Sequence, residues 1–327
     1  IFAQPYLGTL ADRFRSPRKV SLVALFITVV MNIIFIFSHQ LIILLITSAS
    51  ILALFNAVTP LTDRIGVSSP YDFGKIRLWG SVGYAVSAQL CGLVYDAIAP
   101  VSIFILFGTI TVLICILRVN DPEVVQAETK VEYSSKEAYK SLFKNKQYII
   151  FLLISFFFWG ACTANFTYIS VFIKSVGGTA SMVGTYQLFA TLFEVPAILA
   201  TDFIIKKFSY KHIMLFACFM SIVNFVWYAT LPNPNLIVAV FVFKGLSTIL
   251  FTMITVRLIM EIVEDKYVST AFGLQATVGR GIGAAVVQLI GGKLIDSFST
   301  MTPFYLFLSV LIVTALALSL TFKEKRA

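Results

Sequence analysis

Long apolar runs alternate with short polar segments along almost the whole chain. Runs of about 20 residues predict membrane-spanning helices, because a helix of that length crosses the hydrocarbon core of a bilayer. The spans lie near residues 19–38, 41–62, 78–97, 101–119, 148–173, 181–203, 211–230, 235–258, 269–292 and 301–322. Residues 1–11 have the character of the last part of an earlier helix. The pattern therefore predicts an all-α, polytopic membrane protein with ten whole spans and one partial span.

One long polar segment, residues 119–147, divides the spans into two groups. We predict an N-terminal helical bundle at 1–118, a central cytoplasmic loop at 119–147 and a C-terminal helical bundle at 148–327. Two matched bundles of six helices would give this pattern if the first helix and part of the second were missing from the chain.

A glycine spacing recurs in the two groups of spans. Gly83 and Gly92 are nine residues apart in the first group, and Gly283 and Gly292 repeat that spacing in the second. Small residues let membrane helices approach closely, so we expect these four glycines to pack against other helices. Internal repeats of this kind are typical of secondary transporters.

Composition and charge agree with a membrane protein. The chain is 58% hydrophobic and 13% charged, whereas soluble domains are nearer 25% charged. Of the 25 Lys and Arg residues, 21 lie in alternate segments, at 13–19, 63–77, 118–146, 206–211, 257–266 and 323–326. The positive-inside rule makes this side cytoplasmic, including the C-terminus. The net charge of +9 therefore marks topology and does not indicate nucleic-acid binding.

The sequence shows no signal for a metal or a cofactor. All four cysteines fall within apolar runs without metal or disulfide spacing, and neither histidine is in the middle of a span. No paired aspartates, histidine cluster or Ser–His pair occurs at membrane depth, so we expect no enzyme activity.

Glu194 is the only acidic residue well inside any predicted span. Ionisable side chains at membrane depth are costly and are candidates for function. Because a carboxyl group can take up and release a proton, we hypothesise that Glu194 carries a coupling proton. The alternative is a structural role, with Glu194 paired to Lys244 or Arg280.

Lys244 and Arg280 are the two cations within spans. They could bind an anionic or hydroxyl-rich substrate, or they could hold Glu194. One acid for two cations leaves a positive excess, which favours an anionic substrate such as an aromatic carboxylate. The alternative is that one of them extends to a membrane interface.

Four further residues are candidates for the substrate cavity. Asn165 and Tyr168 are three residues apart and share a helical face, so both could hydrogen-bond substrate. Asp63 and Arg77 flank the turn before the span at 78–97. They could form an ion pair in the cavity, or they could be charges at the cytoplasmic rim.

The segment Gly8-Thr9-Leu10-Ala11-Asp12-Arg13-Phe14-Arg15-Ser16-Pro17-Arg18-Lys19 resembles the loop between helices two and three of the major facilitator superfamily. Arg15 stands where the family usually has glycine. The resemblance implies two six-helix bundles that expose a central site alternately to either side. It also implies a conformational gate at Gly8, Asp12, Arg13 and Arg18, in which the acidic residue helps to close the cytoplasmic face.

Within that superfamily, residues Phe73 to Tyr84 resemble the start of helix five in lactose-permease-like symporters and arylpropionate permeases. Lys244 also falls where such permeases have a similar residue. The pattern departs elsewhere, because the acidic residues expected on helix seven correspond to Asn165 and Tyr168. The expected His and Glu of helix ten correspond to Ser247 and Leu250, so the galactoside site is not intact.

These features together predict a proton-coupled symporter of a small organic solute: a sugar, a nucleoside or an aromatic carboxylate. The proton is the coupling ion, and the protein is expected to act as a monomer in a bacterial inner membrane. One alternative is a drug–proton antiporter of the same fold, although the Gly-Pro pair of such exporters is absent from residues 92–96. A non-transporting membrane sensor is the other alternative.

Overall fold

The structure, a computed structural model, describes residues 6–7, 10–11, 14, 16–67, 71, 73–119, 135–199, 203–204, 207–264 and 267–322. All regular structure in these ranges is helical. The helices are α1 (Pro17–Phe37), α2 (Leu41–Val67), α3 (Phe73–Ala97), α4 (Ser102–Arg118), α5 (Ser135–Lys144), α6 (Lys146–Ser175), α7 (Ala180–Leu199), α8 (Tyr210–Ala229), α9 (Pro234–Ala239), α10 (Phe241–Ile262), α11 (Val268–Ala276), the π-helix π1 (Thr277–Gly283), α12 (Ala284–Phe298) and α13 (Thr302–Thr321). The all-α, polytopic prediction is confirmed.

Seven helical stretches in the described ranges are long and apolar enough to cross a membrane. They are α1, the Leu41–Thr59 part of α2, α6, α8, α9 with α10, Thr270–Phe298, and α13. The shorter helix α4 is also apolar. Residues 6–7 and 10–11 are helical, in the segment where the sequence indicates the end of an earlier helix.

Three details differ from the regular spans that the sequence predicts. The span near 235–258 is divided into α9 and α10 at Val240, whose backbone leaves the helical conformation at φ −91° and ψ 13°. The span near 269–292 contains π1 and continues to Phe298, where Ser299 ends it in the left-handed conformation at φ 53°. The polar segment 119–147 contains the helix α5, which buries Ala138 and Leu142.

The chain forms two compact units, of which the first comprises residues 1–81 and 93–131. Its helices α1 and α4 are joined by Asn32, whose side-chain amide donates a hydrogen bond to the carbonyl oxygen of Phe104 at 2.9 Å. The rings of Phe35 and Phe104 pack beside this bond with centroids 4.7 Å apart. A buried amide that is bonded to a neighbouring helix fixes the register of the two helices in an apolar environment.

The second unit comprises residues 82–92 and 132–327. Helix α6 lies in its core, where the Phe158 ring stacks on Phe251 of α10 with centroids 3.9 Å apart. Asn145 caps α6, since its side-chain oxygen accepts hydrogen bonds from the first turn. The same side chain donates to the carbonyl oxygen of Ile262 at 2.6 Å. The start of α6 is thereby tied to the end of α10.

Within the second unit, residues 82–92 of α3 pack tightly on α7. A Cβ atom on Gly92 would lie 2.6 Å from the carbonyl oxygen of Ala180, and a Cβ atom on Gly184 would lie 2.6 Å from that of Ala88. Real Cβ atoms do not approach oxygen so closely. The two backbones can therefore meet only because both positions are glycine.

We expect Gly92→Ala to lower the free energy of unfolding by about 1–3 kcal/mol, the usual cost of an overpacked contact. The matched control is Gly83→Ala on the same helix, where an added Cβ meets nothing within 4 Å. Thermal unfolding in lipid nanodiscs measures both variants. Equal melting temperatures for the two variants would contradict this description of the contact.

Candidate functional site

Helix α7 presents a polar stripe to α10. Gln187, Thr191 and Glu194 follow one another at intervals of four and three residues, which places them on one helical face. Gln187 and Thr191 are buried, and Glu194 is half-buried. The two helices approach closely at Gly245, where an added Cβ would lie 2.8 Å from the carbonyl oxygen of Ala190. This close contact brings the first turn of α10 to the polar stripe.

Lys244 lies in that first turn, next to Gly245, and faces the stripe. Its ammonium group donates a long hydrogen bond of 3.5 Å to the side-chain oxygen of Gln187. Lys244 and Glu194 interact electrostatically, and Thr248, one turn further along α10, faces the Glu194 carboxyl group. Opposite charges attract far more strongly in an apolar interior than in water. The structure therefore brings Glu194 and Lys244 together in one site, the Glu194–Lys244 site.

Arg280 reaches the same region from π1. Its guanidinium carbon lies 3.8 Å from the centroid of the Trp159 ring of α6, which is a cation–π contact. The π-helix packs tightly on α6, because a Cβ on Gly283 would lie 2.7 Å from the carbonyl oxygen of Phe156. Single π-helical turns occur often at functional sites. The sequence predicts a deep cation at position 280 but gives no signal for the helix type that presents it.

The two cations are close to the same part of α6. Both Lys244 and Arg280 lie near the Cys162 thiol. Arg280 is exposed at the surface of the second unit, whereas Lys244 is partly buried. The middle of α6 therefore carries a region of positive potential that contains one acidic side chain, Glu194, among the described residues around it.

Asn165 and Tyr168, which share a helical face in sequence, have different neighbours. Asn165 is buried and points towards Lys244 and the middle of α10. The Tyr168 hydroxyl donates a hydrogen bond of 3.1 Å to the carbonyl oxygen of Gln288 in α12, and its ring packs against Phe304. The Tyr168 hydroxyl would also lie 2.8 Å from a Cβ on Gly292. Tyr168 therefore joins helices, whereas Asn165 belongs to the region of Lys244.

A small polar cavity adjoins Lys244 inside the second unit. It has a volume of about 10 Å³. Its lining comprises Cys162, Asn165, Ser221, Asn224, Phe225, Lys244, Ser247 and Thr248. Sequence reasoning did not identify Gln187, Ser221 or Asn224. Neutral polar residues inside apolar spans were the signal that could have found them.

Several other predicted residues lie outside the described part of the chain. Gly8, Asp12 and Arg13 are among them, as are the side chains of Asp63 and Arg77. Arg18 is described and lies in the first turn of α1, which Ser16 caps. Among the described residues, no three His, Cys, Asp or Glu side chains are grouped as metal ligands would be.

Comparison with known families places the chain in a family of transporters. Residues 1–306 match the MFS_1 like family, which covers most of the sequence. The chain belongs to this family of major facilitator transporters. It is therefore an integral membrane transporter of small solutes and not an enzyme.

Two relatives of this transporter are named for different solutes. The chain is 27% identical to the maltose permease of Geobacillus stearothermophilus over 329 residues, or 99% of the chain and 83% of the permease. It is 25% identical to the probable 3-phenylpropionic acid transporter of Escherichia coli over 203 residues, or 60% of the chain and 53% of that protein. The lactose-permease-like resemblance is thus confirmed at the level of the branch.

A solved structure shows the same fold at lower identity. A mutant of the nucleoside transporter NupG matches with a TM-score of 0.88 and 16% identity, covering 99% of this chain and 87% of NupG. At this identity the likeness concerns the fold alone.

We expect a double-mutant cycle to detect the attraction between Glu194 and Lys244. Glu194→Gln and Lys244→Gln should each destabilise the protein, and the double variant should lose less than the sum of both. Residues in direct interaction usually couple by about 0.5–3 kcal/mol. Thermal unfolding in nanodiscs provides the readout.

The control cycle pairs Glu194→Gln with Lys174→Gln. Lys174 is an exposed lysine in the last turn of α6. These two changes should be additive. Additive losses in the Glu194–Lys244 cycle as well would show that the pair contributes nothing to stability.

Proposed function

We propose that this transporter is a proton-coupled symporter of a small organic solute, in which Glu194 carries the proton and Lys244 contacts the substrate. The supporting observation is the position of Glu194 beside Lys244 in the second unit. The solute is a sugar, a nucleoside or an aromatic carboxylate.

Competition for Lys244 explains why proton and solute would move together. When Glu194 is ionised, its charge attracts Lys244 and competes with the substrate for the ammonium group. When Glu194 is protonated, it is neutral, and Lys244 can bind a substrate carboxylate or hydroxyl. Linkage makes this effect reciprocal, so substrate binding also favours proton binding. Such cooperation gives symport, whereas an exchanger requires proton and substrate to exclude each other.

The chemistry of the site agrees with solutes that accept hydrogen bonds. Lys244 and Arg280 both have only donors to offer, and the Trp159 ring holds the Arg280 guanidinium in place. Hydroxyl-rich rings and aromatic carboxylates can both use such groups. The named substrates of the relatives, maltose and 3-phenylpropionic acid, fall in these two classes.

We further propose that the protein works as a monomer in the cytoplasmic membrane of a bacterium, with its C-terminus in the cytoplasm. The basic ends of the described helices support this orientation. Lys144, Lys146, Lys207, Lys211 and Arg257 lie at or near the helix ends that the positive-inside rule assigns to the cytoplasm.

We expect addition of the solute to vesicles that contain the full-length protein to make the external medium alkaline, because symport carries protons inwards. Maltose, uridine and 3-phenylpropionate are added in turn and followed with a pH electrode. One class should give alkalinisation in the wild type and none in Glu194→Gln.

The control is Glu137→Gln, which removes an exposed carboxylate on α5 and should leave the signal unchanged. Alkalinisation that persists in Glu194→Gln would refute the role of Glu194. Uptake of a labelled solute without any pH change would refute proton coupling.

A further inference from the structure

A second polar cluster lies inside the second unit, beside the Glu194–Lys244 site. Tyr186 of α7, Tyr228 of α8 and Tyr305 of α13 are all fully buried. Among the residues that the structure describes, none of their hydroxyl oxygens has a hydrogen-bond partner, and the same holds for the side-chain oxygens of Asn165 and Asn224. We call these five residues the tyrosine–asparagine cluster.

Five unsatisfied polar atoms in one place require an explanation. A buried polar atom without a partner costs about 1–3 kcal/mol, and native proteins contain few of them. Two other buried hydroxyls of this unit are satisfied. Tyr148 donates to the carbonyl oxygen of Ala271 at 2.8 Å, and Ser247 donates to that of Ala217 at 3.0 Å. Ordered water is the usual partner of buried polar atoms that lack protein partners.

The members of the cluster are neighbours. The rings of Tyr228 and Tyr305 have centroids 5.2 Å apart. The Tyr186 side chain faces Tyr228 and Asn165, and Tyr228 also faces Asn224, but none of these approaches has full hydrogen-bond geometry. The cluster is therefore continuous from Tyr305 to the two asparagines.

The asparagine end of the cluster opens on the cavity beside Lys244. Asn165, Asn224 and Lys244 all line this cavity of about 10 Å³, which is roughly the space that one water molecule needs. The cavity has polar walls, so a water molecule there would find several partners. Lys244 thus lies between Glu194 and the cavity at the asparagine end of the cluster.

The tyrosine end of the cluster lies at the end of the unit opposite to most of its basic residues. Tyr228 is the penultimate residue of α8, and Tyr305 lies in the first turn of α13. Thr302 donates to the carbonyl oxygen of Ala229 at 2.9 Å, which joins these helix ends. Asn165 lies ten residues before the end of α6, or about 15 Å deeper at 1.5 Å per residue.

We propose that ordered water fills the tyrosine–asparagine cluster and carries protons between the non-cytoplasmic end of the second unit and Glu194. Each water and hydroxyl along the route accepts one proton and passes one on. Lys244 forms the last link, since it faces both the cavity and Glu194. It donates a proton to the Glu194 carboxylate and regains one from the cavity water, so that one proton enters and rests on Glu194. This route rests on the proton coupling proposed above.

The presence of water can be tested without knowing the substrate. Radiolytic hydroxyl labelling modifies buried side chains that contact bound water. In the full-length protein in nanodiscs, Tyr228 and Tyr305 should be labelled at least about threefold faster than Tyr148, an equally buried tyrosine whose hydroxyl is bonded to a carbonyl. Equal rates for the three tyrosines would overturn the proposal.

The route itself is tested with the double variant Tyr228→Phe/Tyr305→Phe. Solute-driven alkalinisation should fall at least about tenfold, whereas exchange of labelled for unlabelled solute should stay within about twofold, because exchange needs no net proton movement. The control is Ser309→Ala, which removes a buried hydroxyl of α13 that already donates to the carbonyl oxygen of Tyr305 at 2.8 Å. Ser309→Ala should change neither rate.

The outcomes separate this inference from the proposed function. Unchanged alkalinisation in the double variant, or a parallel loss of alkalinisation and exchange, would overturn the route. A wild-type protein that transports solute without any pH change would instead refute proton coupling, and the labelling rates would still decide whether water occupies the cluster.

Discussion

The charge of Lys244 inside the second unit determines how the site around it is built. An ammonium group removed from water must find compensating partners, and α7 supplies them through Gln187 and Glu194. They can reach Lys244 only because Gly245 allows α10 to approach α7. The close packing of the α7 and α10 backbones thus allows Lys244 to reach its polar partners.

In the proposed mechanism, this single lysine connects three roles. It attracts Glu194, it offers donors to a solute, and it borders the cavity that leads to the tyrosine–asparagine cluster. A change of charge on Glu194 therefore alters both what Lys244 can bind and how it interacts with neighbouring water. In the proposed mechanism, proton and solute are coupled through competition for one cation.

The sequence predicted the parts of this site that depend on charge and hydropathy. Glu194 and Lys244 are identifiable because ionised groups are rare at membrane depth. Packing details had no such signal: π1 consists of small and apolar residues around Arg280, and Tyr168 has a carbonyl partner that only the fold provides. The buried tyrosines could not be distinguished from the aromatic residues of lipid-facing surfaces, because an isolated hydroxyl leaves the hydropathy of a span almost unchanged.

The pH dependence of solute binding to the purified full-length protein shows whether Glu194 and the solute compete for Lys244. The ligand is the solute that causes alkalinisation, and calorimetry gives its affinity. Ionised Glu194 competes for Lys244, so the wild-type affinity should fall as pH rises through the titration of Glu194, approaching about tenfold per pH unit. Glu194→Gln should bind equally well at every pH. A Glu194→Gln variant that keeps the wild-type pH dependence would show that Glu194 does not compete with the solute for Lys244.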